Sequence, residues 1–239
     1  WNGETRIWEC NGENANPKTL ISHEQKLPAL TTCWHLDGTK VFSGGADKKG
    51  KLIDLNSNQT IQVAEHSAAI IGSAIAPGPN NMGPVLITCG YDKFLKFWDL
   101  KAPNPIFQYQ FGSVCTALDV RSDLMVVALM DGKHSIFNLR EPQKPQKEFE
   151  SVFKLPSKSI ACFNGGDGFL YSTIEGRCQI QFLNDAVSGG KSFPFRCHRS
   201  QSDNTVYSVN STCFNPVFGS FATCGSDGNF SFWDKDAKS

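Results

Sequence analysis

The chain has 239 residues, of which 40% are hydrophobic and 19% charged; this is enough apolar material for a buried core and excludes a disordered chain. Lys and Arg number 23 and Asp and Glu number 23, so the net charge of zero argues against a dominant phosphate-tracking or membrane-binding surface and leaves only local charged patches. The longest strongly apolar run, at 124–130, is too short to span a membrane.

A repeated segment runs along the chain and ends six times in a similar way. In chain order the copies end at positions 8, 53, 98, 137, 181 and 233, at intervals of 45, 45, 39, 44 and 52 residues. The two best-preserved copies read DKFLKFWD at 92–99 and DGNFSFWD at 227–234. A period of roughly 40–45 residues that ends in Trp-Asp is typical of a four-stranded β-propeller blade. The sequence therefore predicts a WD-repeat β-propeller.

The segments between these marks have the pattern of β-strands. Residues 85–88, 94–98 and 230–233 are β-branched or aromatic runs bounded by Gly and Asp, and no segment has a convincing helical period. The prediction is an all-β chain in which 1–239 form a single propeller domain. Because there are five full blade periods plus part of another, we expect a seven-bladed propeller when complete and a sequence that is incomplete at both ends.

Four residue types recur at matching places in the two best-preserved blades. We expect the Asp to cap the turn between the second and third strands, the His to bridge it to a hydroxyl, and the Trp indole to donate the remaining hydrogen bond. Such a set is structural, and breaking one member leaves buried partners unsatisfied. The predicted quartets are His66, Thr88, Asp92 and Trp98 in one blade and His198, Thr223, Asp227 and Trp233 in the other. An earlier blade keeps His23, Ser43 and Asp47 but has Ile53 in place of Trp.

Basic residues follow the turn acid in most blades. The repeat phase predicts that they meet at one rim, where they suit an acidic peptide; the alternative is that they are ordinary turn residues. These candidate partner-binding residues are Lys48, Lys49, Lys93, Lys133 and Arg177. Arg199 follows the quartet residue His198, has no duty in the quartet, and is a further candidate to pair with a partner carboxylate or phosphate.

Catalytic, metal and cofactor motifs are missing from the sequence. The five histidines form no i, i+3 or i, i+4 pair, and G-x-S-x-G, P-loop and H-E-x-x-H patterns do not occur. None of the nine cysteines is in a C-x-x-C pair, and the equal repeat phase of Cys33 with Cys213 and of Cys89 with Cys224 predicts small buried strand residues in a reducing compartment. We expect no enzyme, no metal, no cofactor and no small-molecule substrate.

The chain resembles one WD-repeat family, the mRNA export factors that dock on the nuclear pore. The motif at 225–237 is the most specific, because a generic blade does not need its Phe-Ser-Phe-Trp-Asp-Lys-Asp sequence. The mitotic checkpoint propeller that recruits kinases to kinetochores is similar around 197–199 and 225–228 but fits that ending less well. The motifs that carry the resemblance lie at 55–62, 92–99, 172–177, 195–200, 207–210 and 225–237.

The resemblance implies a non-enzymatic adaptor in mRNA export. Its implied partner is the GLEBS motif, a short, acid-containing peptide of a nucleoporin, and its implied place is the nucleus and the nuclear pore complex, with cytoplasmic shuttling. mRNA is expected to be contacted weakly or indirectly, and no membrane partner is expected. The open alternatives are a kinetochore checkpoint adaptor and, from another class, an enzyme on a propeller scaffold.

Overall fold

The computed structural model describes residues 1–12, 14–79, 82–184, 191–200 and 202–237. In these ranges the chain forms 21 strands in six antiparallel sheets and one short 3-10 helix, at Glu24–Lys26. It divides into two compact units, an N-terminal unit over Trp1–Cys115 and a C-terminal unit over Thr116–Ser239. The expectation of a single domain over 1–239 stays a prediction.

The N-terminal unit contains three sheets. The first pairs β1 (Glu4–Asn11) with β2 (Asn14–Ser22), and the other two have four strands each, hydrogen-bonded in sequence order. The second sheet is formed by β3 (Ala29–Trp34), β4 (Lys40–Gly45), β5 (Lys49–Asp54) and β6 (Thr60–Glu65). The third is formed by β7 (Ile70–Pro77), β8 (Pro84–Gly90), β9 (Phe94–Asp99) and β10 (Pro105–Gln110).

The C-terminal unit contains the remaining sheets, again with neighbours in sequence order. The strand β11 begins at the last residue of the N-terminal unit. The first sheet is formed by β11 (Cys115–Arg121), β12 (Leu124–Leu129), β13 (Lys133–Asn138) and β14 (Lys147–Glu150). The second is formed by β15 (Ser159–Cys162), β16 (Gly168–Ser172), β17 (Arg177–Phe182) and β18 (Phe193–Arg196), and the third by β19 (Val209–Phe214), β20 (Ser220–Gly225) and β21 (Phe230–Asp234).

The all-β prediction is confirmed, and the sequence repeat coincides with the sheets. Positions 53, 98, 137 and 181 all lie in the third strand of a four-stranded sheet, position 233 lies in the third strand of the last sheet, and position 8 lies in β1. The turn acids precede these strands. Each of the five larger sheets is therefore one blade-like unit, and its third strand carries the residue that marks the repeat.

In each unit, one pair of neighbouring sheets packs through apolar side chains and also forms a hydroxyl pair between the two first strands. In the N-terminal unit, Phe42, Leu86 and Trp98 belong to one buried cluster. The side-chain hydroxyl oxygens of Thr31 in β3 and Ser73 in β7 lie 2.8 Å apart. In the C-terminal unit, Ser159 in β15 and Thr212 in β19 form the matching pair at 3.0 Å. Burial of the apolar faces supplies most of the stabilisation, and the hydroxyl pairs keep the polar atoms satisfied.

Candidate partner-binding surface

A buried hydrogen-bonded quartet fastens the β8–β9 turn to the sheet. The indole Nε1 of Trp98 donates to Thr88 Oγ1 at 2.8 Å, and Thr88 Oγ1 lies 2.8 Å from His66 Nε2. The other ring nitrogen, Nδ1, lies 3.0 and 2.9 Å from the two carboxylate oxygens of Asp92. That carboxylate also accepts the backbone N–H of Ser67. The four predicted residues therefore meet in one chain of hydrogen bonds from the core to the turn.

The same chain occurs in the last sheet. His198 lies 3.0 Å from both carboxylate oxygens of Asp227 and 2.9 Å from Thr223 Oγ1, which also accepts the Trp233 indole N–H at 2.9 Å. Trp233 is only partly buried, whereas Trp98 is buried. The geometry of the hydrogen bonds is therefore independent of how deeply the indole is packed.

The second sheet replaces the indole by a hydroxyl from a neighbouring strand. His23 bonds Asp47 at 3.0 Å and Ser43 Oγ at 2.7 Å, as in the other blades. Because Ile53 has no donor, the remaining position on Ser43 is taken by Thr5 Oγ1 of β1, at 2.8 Å. The sequence predicts the loss of Trp here but gives no sign of this substitute, since Thr5 lies in another repeat.

The Asp92–His66–Thr88 arrangement has the connectivity of an acid, a base and a hydroxyl nucleophile, but it is structural. Thr88 is 0% exposed, and its hydroxyl already accepts the indole N–H, so no substrate carbonyl can reach it. Burial would raise the pKa of Asp92, yet the hydrogen bond and charge of His66 and the backbone N–H groups of Phe94 and Ser67 lower it to about 2. The carboxylate is therefore held ionised as an acceptor.

The turns after the second strand share one backbone conformation. The residue after the turn acid has a positive φ in five sheets, and in three of them it is a glycine: Gly132, Gly176 and Gly228, at φ of 85°, 59° and 76°. In the other two it is lysine, Lys48 at 68° and Lys93 at 69°. A left-handed backbone costs a residue with a Cβ on the order of 1 kcal/mol, and glycine avoids this cost. Lysine at these two positions therefore needs an explanation other than backbone preference.

The predicted basic residues differ in their exposure and in whether they form an ion pair. Lys48 and Lys93 are exposed, and neither has an acidic partner among the described residues. Lys49 pairs with Glu24 at 2.6 Å. Lys133 is half-buried, at the start of β13. Within each unit, the candidate residues that follow a turn acid therefore lie at equivalent turns. That all of the candidates meet at a single rim stays a prediction.

Two arginines of the C-terminal unit converge on the β16–β17 turn. Arg177 begins β17, and its guanidinium carbon lies 5.9 Å from the Phe153 ring centre. Its Nε is buried and has no hydrogen-bond partner in the described part of the chain. Arg199 is exposed and donates from Nη2 to the carbonyl oxygen of Glu175 at 2.9 Å. This bond orients the Arg199 side chain along the turn and leaves its other N–H groups for a partner.

Large apolar side chains stand exposed directly before the turn acid in three sheets. They are Tyr91 at 50%, Met130 at 46% and Ile174 at 55% exposure. The sequence analysis missed them, although the signal was present: a large apolar residue next to the turn acid lies outside the alternating pattern of the strands. Each of these turns therefore offers an apolar and a basic side chain, at Tyr91 and Lys93, at Met130 and Lys133, and at Ile174 and Arg177.

The prediction of buried cysteines at equal repeat phase is half wrong. Cys89 is buried and Cys33 is mostly covered, so that burial raises the pKa of the Cys33 thiol to about 11. Cys213 and Cys224 are exposed. They lie on the same face of the last sheet as the exposed Phe230 and Phe232. The repeat phase sets which face a residue occupies, but it does not say whether that face is covered.

Neither a metal-binding cluster nor a membrane-crossing helix was found in the described part of the chain. No group of three or more His, Cys, Asp or Glu residues is placed to hold a metal ion there. Within the same ranges, no helix is long and apolar enough to cross a membrane.

Comparison with known proteins identifies the repeats and the relatives. The family "WD domain, G-beta repeat" matches residues 58–99 and 192–234, the two segments that contain the complete quartets, and this confirms the predicted WD-repeat β-propeller class. The chain is 40% identical to "Poly(A)+ RNA export protein" of Schizosaccharomyces pombe, over 99% of this chain and 67% of the relative. It is 37% identical to "mRNA export factor GLE2" of Chaetomium thermophilum and 42% identical to "Protein RAE1" of Arabidopsis thaliana, in both cases over 100% of this chain and about two thirds of the relative (66% and 67%).

Proposed function

We propose that this chain, which belongs to the family of WD-repeat mRNA export factors, is a non-enzymatic adaptor that holds an acidic, GLEBS-type nucleoporin peptide and so places export cargo at the nuclear pore. Relatives named as mRNA export factors support the export role and, with it, a place in the nucleus and at the pore. The chain spans about two thirds of the length of these relatives. The chemistry of the partner therefore has to follow from the residues of this chain.

One observation carries the proposal, the pair of exposed lysines in left-handed turns. Lys48 and Lys93 occupy positions where three other sheets have glycine, so their side chains are kept at a cost in backbone energy. A cationic side chain without an acidic neighbour attracts a partner carboxylate and speeds its approach. Gly132, Gly176 and Gly228 form the same turn without the cost, which favours a binding role for the two lysines over ordinary turn chemistry.

The exposed apolar residues define the peptide further. Tyr91 lies two positions before Lys93, and Ile174 lies three positions before Arg177. A ligand that matches both properties has apolar side chains interspersed with acidic ones. Apolar contact supplies affinity, and the charges supply orientation and rate of association. Arg199, oriented by its bond to Glu175, is the residue best placed for a bidentate contact with a carboxylate.

Titration calorimetry of the full chain with a nucleoporin GLEBS peptide tests the proposal. We expect Lys93→Glu and Arg177→Glu each to weaken binding by roughly three- to tenfold and to flatten its salt dependence, with thermal melting unchanged for the exposed Lys93→Glu. Arg199→Ala is expected to have the largest effect. The matched control is Lys101→Glu, which makes the same charge change at the opposite end of β9.

The possible results separate the candidate functions. Equal affinity of Lys93→Glu, Arg177→Glu and the control would show that the basic residues are ordinary turn residues. A clear preference for a checkpoint GLEBS peptide over the nucleoporin peptide would favour the kinetochore adaptor, to which 197–199 and 225–228 are similar. Binding of neither peptide would refute the adaptor proposal and leave only the fold and family.

A further inference from the structure

Two cysteines of the C-terminal unit lie in contact inside the core. Cys178 of β17 is 0% exposed and Cys197, directly after β18, is 6% exposed; both belong to the same buried cluster. Their sulfur atoms are 3.6 Å apart. A disulfide bond is about 2.05 Å long, so the two sulfurs would have to approach by about 1.5 Å to form one.

We propose that Cys178 and Cys197 are a peroxide-sensitive dithiol, and that its reversible closure to a disulfide displaces the segment 197–199. The strand register supports this. Cys178 lies opposite Phe195, so Cys197 is its diagonal neighbour on the adjacent strand. Diagonal neighbours have Cα atoms about 7–8 Å apart, which is at or beyond the span of a relaxed disulfide. Closure therefore requires the backbone at Cys197 to move towards β17.

The contacts of that segment show what the movement would disturb. The backbone N–H of Cys197 donates to the Gly176 carbonyl at 3.0 Å. His198 is the quartet histidine that bonds Asp227, and Arg199 bonds the Glu175 carbonyl. These bonds hold the reduced arrangement and make the disulfide strained. Strained disulfides have more oxidising potentials and are readily reduced, so closure is reversible by a thiol.

The oxidation needs a peroxide and proceeds in two balanced steps. The Cys197 thiolate attacks one oxygen of hydrogen peroxide; the O–O bond breaks, a sulfenic acid forms, and hydroxide takes up the thiol proton to leave as water. The Cys178 sulfur then attacks the sulfenic sulfur; the S–S bond forms, the S–O bond breaks, and the hydroxyl leaves with the Cys178 proton as a second water. Two electrons pass from the two thiols to the peroxide, and a thiol reductant reverses the change.

The environment of the two sulfurs assigns the order of attack. The hydrogen bond shared with Cys178 lowers the pKa of Cys197; burial opposes this, and the charge of Arg199 lowers the pKa further. The shared hydrogen bond with Cys197 and burial raise the pKa of Cys178. Cys197 also has the greater exposure of the two. It is therefore the attacking cysteine, and Cys178 is the one that resolves the sulfenic acid.

Alkylation of the full chain with N-ethylmaleimide after exposure to hydrogen peroxide tests the pairing. We expect peptide mapping by mass spectrometry to show Cys178 linked to Cys197, with the link removed by dithiothreitol. The matched internal control is the pair Cys89 and Cys115, which is 0% exposed at both positions and hydrogen-bonded as well. Both cysteines of this pair are expected to stay reduced in peroxide, and therefore to react with N-ethylmaleimide once the chain is denatured. Equal oxidation of both pairs, or Cys197 oxidised with no link to Cys178, would overturn the proposal.

Thermal melting tests the displacement. Peroxide is expected to lower the melting temperature of the parent chain, and dithiothreitol is expected to restore it. Cys178→Ser, which keeps the size of the side chain and cannot form the link, is expected to melt at the same temperature with and without peroxide. A cross-linked chain whose melting temperature is unchanged would show that the segment 197–199 does not move. Peptide affinity of the oxidised chain is a separate measurement that rests on the proposed function, whereas the cross-link does not.

Discussion

The sheets β7–β10 and β11–β14 have the same strand order but are stabilised in different ways. In β7–β10 a polar chain from Trp98 to Asp92 ties the third strand to the turn. In β11–β14 the Trp position is Phe137, and all six residues of β12 (Leu124–Leu129) are buried and apolar. The four-stranded unit therefore does not depend on the quartet. Sheet β11–β14 forms without it, and in β7–β10 the quartet adds a fixed turn.

The buried histidine of each sheet shows the difference most clearly. His66 has partners at both ring nitrogens. His134 forms a 2.7 Å hydrogen bond with Ser157 Oγ through Nε2, and its ring lies tilted, 4.4 Å from the Tyr171 ring centre. Its Nδ1 has no hydrogen-bond partner among the residues that the structure describes. Burial lowers its pKa to about 4, despite the opposing charge of Asp131. The buried ring of His134 is therefore neutral near pH 7.

The largest expected effect on the free energy of unfolding comes from removing the Trp98 indole. Trp98→Ala removes a buried aromatic side chain and one donor to Thr88, and should lower the free energy of unfolding by about 3–5 kcal/mol in urea or guanidinium unfolding. Trp233→Ala is the matched control, since it breaks the same hydrogen bond at a partly exposed position. A smaller loss at Trp233 would assign most of the effect to packing, and equal losses would assign it to the hydrogen bond.

Removing the turn acid should have a different cost in sheets β7–β10 and β11–β14. Asp92→Ala leaves His66 and two backbone N–H groups without their acceptor and is expected to cost about 1–3 kcal/mol. Asp131 occupies the equivalent turn of β11–β14, but it is exposed, and within the described ranges its side chain accepts only the Lys133 N–H, at 3.2 Å. Asp131→Ala should therefore cost a few tenths of a kcal/mol to about 1 kcal/mol. Equal costs at Asp92 and Asp131 would contradict the structural role of the quartet.

Acid should weaken the two sheets over different pH ranges. The pKa of His134 is lowered from 6.5 to about 4, so the unfolded chain binds this proton first and stability is lost as the pH falls from about 6.5 to about 4. The pKa of Asp92 is lowered from 3.8 to about 2, so its contribution is lost only below about pH 4. In urea unfolding at pH 7, 5 and 4, the free energy of unfolding should fall by on the order of 1–3 kcal/mol, and the fall should be smaller in His134→Gln. An equal pH dependence in the variant would assign the loss to other groups.

The smallest expected effect has the opposite sign. Lys48→Gly and Lys93→Gly remove the cost of a left-handed backbone and should each stabilise the chain by about 0.5–1 kcal/mol while weakening acidic-peptide binding. Lys101→Gly is the control, because its backbone has no positive φ and glycine there only adds freedom to the unfolded chain. Destabilisation by both Lys48→Gly and Lys93→Gly would show that the lysine side chains contribute to the fold itself.

The repeat made much of the fold predictable, since a fixed period with an acid and a Trp-Asp ending places each third strand. The two quartets followed from the same spacing, because their members lie within one repeat. Contacts between repeats could not be found in this way. The hydroxyl of Thr5 on Ser43, the bond between His134 and Ser157, and the exposure of Cys213 depend on which side chain of another strand lies nearby.

The quartet forms one continuous chain of hydrogen bonds from a buried indole to a surface turn. An indole N–H can only donate, so the Thr88 oxygen accepts from Trp98 and shares a second hydrogen bond with His66 Nε2. The ionised Asp92 carboxylate can only accept, so His66 Nδ1 carries a proton and donates to it. In such a chain each hydrogen bond polarises its neighbours. A substitution at the buried indole is thus transmitted to the carboxylate of a surface turn, although no atom of the tryptophan takes part in that turn's hydrogen bonds.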